Sequence, residues 1–215
     1  MNYLQIVNSV MRRMRENEVS SVNEGAYSKL IGELVNEAKR EVEDAYNWVQ
    51  LKSTMLINTT PGVFTYTMVG SGHRFRILHA YNNTDDVEMK IAPSNWLTKQ
   101  FLTNGGVQTG SPIYYDVNGS SNGDSNIDIW PSPDKSYDLT VDMVVPQASL
   151  SLDTDTLLID YWPVLLGTYA KAISERGDDS GMQFGEAMIN YNKALGDLIA
   201  IDAAKTPHMN IWEVV

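Results

Sequence analysis

The sequence predicts an α+β protein: a bundle of about four helices, an inserted antiparallel β-sheet domain, and an extended tail. Three observations carry that expectation. Apolar residues recur every three or four positions near both ends of the chain, alternate with polar ones in the middle, and lose any period after Pro207. The expected segments are 1–50 and 158–205 for the two halves of the bundle, 51–157 for the β insertion with one short helix, and 206–215 for the tail.

The first helix is expected over 2–16, where Tyr3, Val7, Val10 and Met14 repeat at helical spacing with Leu4 and Met11 beside them. Arg12, Arg13 and Arg15 close it, and a solvated helix end whose cations suit the dipole is the expectation, with a phosphate or DNA contact as the alternative. Residues 21–48 give the strongest pattern. Ala26, Leu30, Ile31, Leu34, Ala38, Val42, Ala45 and Val49 share one face, with Glu33, Glu37, Arg40, Glu41 and Asp44 opposite. Ser21 and Glu24 have the spacing of a capping box.

The period then falls to two. LKSTMLINTT, VFTYTMV, RFRILHAYNN and VEMKIA read as strands separated by PG, GSG and NNTDD turns, and this predicts antiparallel sheet. PSNWLTKQFLTN reads as a short helix that begins at Pro93, buries Trp96, Leu97 and Phe101, and stops at Asn104 and Gly105. PIYYDV, NIDIW and YDLTVDMVV resume the alternation. Ile127 to Pro146 is expected to be two short strands forming an antiparallel hairpin around a proline-punctuated turn. Helical spacing returns in DYWPVLLGTYAKAISERG, through Trp162, Leu165, Leu166, Tyr169 and Ile173, with Gly177 as the stop. A last helix from Met182 to Ala204 carries Phe184, Met188, Tyr191, Leu195, Leu198 and Ile199.

At 215 residues the chain can bury a sizeable core without disulfides, and it contains no cysteine. That excludes thiol nucleophiles and cysteine metal sites. The N-terminal segment lacks the layout of a secretory signal, and no apolar run approaches a membrane span, so a soluble protein without membrane contact is expected. The net charge of −11 argues against a surface that grips nucleic-acid phosphates. Six of those eleven excess negative charges fall in 51–160.

Motifs for chemistry are sparse. His73, His79 and His208 belong to no HExxH pattern, there is no GxSxG elbow, and no glycine-rich phosphate cradle is present. Asp116, Asn118 and Ser120 occupy the first positions of a calcium loop, but Ser121 replaces its glycine and Ile127 its bidentate glutamate. A hairpin loop is the better expectation. Asp153 and Asp155 are expected to cap local turns rather than hold a cation. No cofactor or metal is expected. Trp48, Trp96, Trp130 and Trp162 fall at element ends or on apolar faces, where core anchoring is the default. Trp212 has no local core, and Pro207, Met209, Ile211, Trp212, Val214 and Val215 make an apolar tail for which docking on a partner is the expectation and packing on its own domain the alternative.

The order of parts, with AYNWVQLKSTMLI at the helix-to-sheet junction, SPIYYDVNG, and the run from IDIWPSPDK to ISERGDD, resembles the head-to-tail adaptor proteins of tailed phages, including the tail tubular protein A type of short-tailed phages. The resemblance covers nearly the whole chain. It implies that Trp130, Pro131 and Pro133 form a turn, that Tyr137 starts the return strand, that Pro146 ends it, and that Asp153 and Asp155 precede the penultimate helix. Asp160 stands where the family pattern would have proline before the helix-starting Tyr161.

The resemblance further implies a structural virion protein without turnover. It would be a homo-oligomer, a dodecameric ring between portal protein and tail nozzle, extending the channel through which DNA passes without specific binding. The tail would reach into the portal. Assembly in the host cytoplasm and residence in the virion neck follow from that role. Two other readings stay open: a tail-associated module whose acidic β insertion recognises a host glycan or tail-fibre protein, and a wall hydrolase built on two carboxylates.

Overall fold

The computed structural model describes residues 1–103, 108–177 and 182–205. The chain forms two compact units, one of residues 52–145 and one that joins 1–51 to the chain from Pro146 onward. The second boundary differs from expectation, because 146–157 belongs with the helices rather than with the β insertion.

In the helical unit, α1 (Tyr3–Arg13) opens with a capping box: Gln5 N–H donates to Asn2 Oδ1 at 2.8 Å, and Asn2 N–H to Gln5 Oε1 at 3.1 Å. Helix α2 (Ala26–Ala45) starts later than predicted. Ser28 Oγ accepts from Gly25 N–H at its start, whereas Glu24 accepts from Ser20 N–H and closes the turn before it. The buried face of α2 holds Ile31, Leu34, Val35, Ala38 and Val42 but also Lys39 and Glu43, while Ala26 and Ala45 are exposed.

Helix α4 (Tyr161–Arg176) packs against α1, α2 and α5 (Met182–Lys205). It is therefore buried on nearly every side from Pro163 to Ala170. Asp160 fills the N-cap, accepting from Trp162 N–H at 2.7 Å, so the departure from proline supplies a cap instead. Pro163 sits in the first turn, where no intrahelical N–H partner is needed. Gly177, at φ 64°, ends the helix in the left-handed conformation.

The other unit holds seven strands: β1 (Lys52–Asn58), β2 (Thr65–Thr67), β3 (Arg76–Asn82), β4 (Val87–Ile91), β5 (Tyr114–Ser121), β6 (Asp124–Trp130) and β7 (Asp138–Val144). Their order in one sheet is β1-β7-β3-β4-β5-β6-β2. Consecutive strands β1 and β2 thus lie at opposite ends. A flat sheet would separate them by ~29 Å, whereas the connection from Asn58 to Thr65 spans at most ~24 Å fully extended. That connection is itself folded, with Val63 N–H donating to Thr60 C=O. The sheet accordingly curls into a nearly closed barrel. Its inside is filled by Ile57, Met68, Met89, Tyr115, Ile127, Ile129, Leu139, Val141 and Met143.

Two expectations for this sheet are corrected. It is not wholly antiparallel, because β4 and β5 pair in parallel. A parallel pair needs a long crossover, and the segment containing α3 (Ser94–Thr103) supplies it. Leu97 is buried as predicted, and Trp96 and Phe101 are half-buried; the stop at Asn104 and Gly105 lies outside the described residues. Nor do β6 and β7 form a hairpin. Strand β6 pairs with β5 and β2, and β7 with β1 and β3, so Pro131 to Tyr137 carries the chain past β2 and β1.

Candidate interaction surface

The turn residues picked out by sequence act together, but as a strap. The Trp130–Pro131 peptide is cis. Pro133 C=O then accepts from Gly62 N–H at 2.8 Å, and Tyr137 exchanges two hydrogen bonds with buried Thr59: Thr59 N–H to Tyr137 C=O at 2.9 Å, and Tyr137 N–H to Thr59 Oγ1 at 2.8 Å. The strap therefore runs along the β1–β2 connection, where the barrel would otherwise lack a ladder. Tyr137 is buried and donates its hydroxyl to Asp134 at 2.6 Å. Burial first, and the Asp134 carboxylate second, push its pKa up to about 12. Trp130, Trp96 and Tyr114 pack ring to ring with centroids 5.1 to 6.0 Å apart, which makes them mutual support at the barrel wall.

Asn122 and Gly123, both at positive φ, make the two-residue turn of the β5–β6 hairpin. The calcium-like run is thus a hairpin, as expected. His79 lies on the barrel surface between Glu88 and Asp142, at 4.0 and 3.9 Å. Among the described residues no group of three or more His, Asp or Glu side chains could hold a metal ion, and no helix is long and apolar enough to cross a membrane.

Asp155 caps a local turn, accepting from Ser151 and Leu152 N–H at 2.8 Å each. Those backbone donors, Leu152 foremost, lower its pKa. Asp153 reaches further, to Val22 N–H at 3.0 Å. These contacts belong to a clasp that sequence reasoning missed. Asn36 pairs with the backbone of Leu150 in both directions, at 3.0 and 2.8 Å. The buried Lys39–Glu43 ion pair, 3.0 Å apart, brackets Gln147: Lys39 Nζ donates to its C=O at 2.6 Å and its N–H donates to Glu43 at 3.2 Å. The detectable clue was three polar residues at i, i+3 and i+7 beside the apolar face of a strongly amphipathic helix.

Two sides of α4 differ in charge. One side of α4, with α2 and α5, walls a groove of about 340 Å³ over Leu34, Phe184, Met188 and Tyr191; Glu37, Glu41 and Glu175 rim it. Lys171 bridges two of those acids, at 2.8 Å to Glu41 and 3.6 Å to Glu37, and its pKa is raised chiefly by the hydrogen bond to Glu41. The opposite side carries Arg13, Arg15, Arg176, Tyr169 and Ile173 around a second hollow. Arg13 lies over the rings of Trp162 and Tyr169, 5.4 and 5.7 Å from their centroids. Trp162, expected as a core anchor, is 44% exposed.

The predicted apolar stripe of α5 is only partly covered. Tyr191 is buried, Phe184, Leu195, Leu198 and Ile199 are half-buried and Met188 is 38% exposed, while Met182, Ile189 and Ile201, which were not part of that stripe, are exposed as well. Small residues explain the packing that does occur: Ala187 and Ala194 bring α5 inward, and Tyr191 closes on Gly167 of α4. The docking residues expected in the tail, Pro207, Met209, Ile211, Trp212, Val214 and Val215, lie outside the described residues.

The family model described as SU10 adaptor protein matches residues 1–210 of this chain. No curated protein matches it.

Proposed function

The chain belongs to the SU10 adaptor protein family, and from that premise we propose that it is a structural virion protein that joins the phage head to its tail. The single observation that carries this reading is the extent of the family match, which takes in both the helices and the β unit rather than one of them. In this reading copies of the chain form a ring, a dodecamer in the tail tubular protein A manner, under the portal. The ring prolongs the channel for DNA and meets a nozzle or fibre protein below.

Physical features support the assignment. A net charge of −11 disfavours adhesion to a passing polyanion, which suits a conduit. The incompletely covered flank of α5 suits a chain that buries more surface on assembly. The segment from Pro207 to Val215 is the proposed portal anchor, since burying Ile211 and Trp212 is worth ~2–3 kcal/mol each. No turnover is part of this role. The glycan-reading alternative gains nothing from Trp96, Tyr114 and Trp130, whose rings face one another.

The direct test is attachment of the full chain, and of a chain lacking 207–215, to the portal protein in a pull-down. The account expects the shortened chain to remain folded by circular dichroism and to lose attachment. Undiminished attachment would remove the anchor role from that segment.

A further inference from the structure

The two faces of α4 are complementary to each other. With successive residues about 100° apart around a helix, Gly167, Ala170, Lys171 and Ser174 line one side, while Trp162, Tyr169, Ile173 and Arg176 fall roughly opposite. Among the described lining residues the groove side carries three acids against one lysine. The other side carries three arginines, of which Arg176 pairs with Glu16. Each therefore holds an excess of two charges, of opposite sign. The basic side also has the composition of an interaction hot spot: arginine, tyrosine, and a tryptophan with almost half its surface in solvent.

We propose that neighbouring copies of this chain meet head to tail across α4, the Arg13–Trp162–Tyr169 face of one copy seating on the acid-rimmed Phe184–Met188 groove of the next. This rests on the ring reading above and assigns its contact surfaces. A two-fold dimer would set arginine against arginine or glutamate against glutamate, which opposes binding. Opposite faces of a single helix instead make a heterologous contact, the type that generates rings when the rotation closes. A groove of about 340 Å³ over Leu34, Phe184 and Met188 offers apolar and thioether contact to an indole. DNA would satisfy the arginines but not the exposed aromatic surface, and the chain's net charge repels it.

Charge exchange on the full-length protein tests this, read by sedimentation velocity over a concentration series with melting curves as a folding check. Arg13→Glu and Glu175→Lys should each weaken self-association about tenfold or more, and the double variant should recover most of the loss, since only a contact between the two faces restores complementarity. Trp162→Ala should weaken it without lowering the melting temperature by more than a few degrees. Single variants that assemble like the wild type, or a double variant no better than either single, would overturn the proposal while leaving the adaptor reading in place. So would an Arg13→Glu chain that loses affinity for a duplex oligonucleotide but assembles normally. A wild-type chain that stays monomeric both alone and with portal protein would overturn this proposal and the ring reading together.

Discussion

Gly32 allows α1 and α2 to approach closely. A Cβ at that position would overlap the hydroxyl oxygen of Tyr3 and lie 2.8 Å from Val22 Cγ1. Gly32→Ala should therefore destabilise the chain by ~1–3 kcal/mol despite the better helix propensity of alanine, measured as a lower urea midpoint at unchanged slope; an unchanged or higher midpoint would contradict the packing. Tyr137 makes a prediction in pH. Its folded pKa of about 12 exceeds the unfolded value near 10. The contribution it makes is thus fully present below pH ~10 and is lost as pH rises toward ~12. Burial also raises Tyr3, Tyr27, Tyr115 and Tyr191, so the alkaline loss is shared. Subtracting the tyrosinate titration of Tyr137→Phe from that of the wild type should leave one step near pH 12; a step near 10 would mean that the Tyr137 hydroxyl is solvated.

At the scale of elements, the α2 clasp deserves a direct measurement. Lys39→Met leaves the Glu43 carboxylate buried without its cation, which costs about 3–5 kcal/mol, whereas Lys39→Met combined with Glu43→Leu should recover much of that. Chemical denaturation of both variants checks it, and equal stability of the two would show that the ion pair is not what holds Gln147. Such a clasp was hard to foresee, because Lys39 and Glu43 look like one more i,i+4 surface pair until the extended chain at 146–150 is laid on them. The seven strands were legible from alternation and turn residues, and five helices from apolar spacing. Their partners were not. Strand periodicity says which side chains face inward but not which strand lies alongside, and so the hairpin expected between β6 and β7 proved to be a strap across the barrel's gap. The parallel β4–β5 pair was implicit in the helix between them and went unread. Trp162 was misplaced for a similar reason: helical spacing puts it in line with Leu166 and Ile173, but Arg13 lies over one side of its ring and the indole stays 44% exposed.

For the molecule as a whole, the family match and the surface physics agree on assembly. The chain supplies a barrel with a filled interior and a helical unit whose central helix is covered by α1, α2 and α5. Among the described residues the helical unit leaves the flank of α5 with Ile189, the indole of Trp162 and the groove beside Met188 uncovered, while Leu56, Val69, Ile91 and Leu102 are exposed in the β unit. Sequence reading placed the docking burden on the segment after Pro207, because nothing in periodicity distinguishes a helix face buried within a subunit from one buried between subunits. The measurement that bears most directly on the adaptor account is electron microscopy of the full-length chain mixed with the portal protein, followed by class averaging of the particles. The account predicts a closed ring of added density coaxial with the portal and continuing its channel; portal particles that remain bare at saturating chain concentration would contradict it.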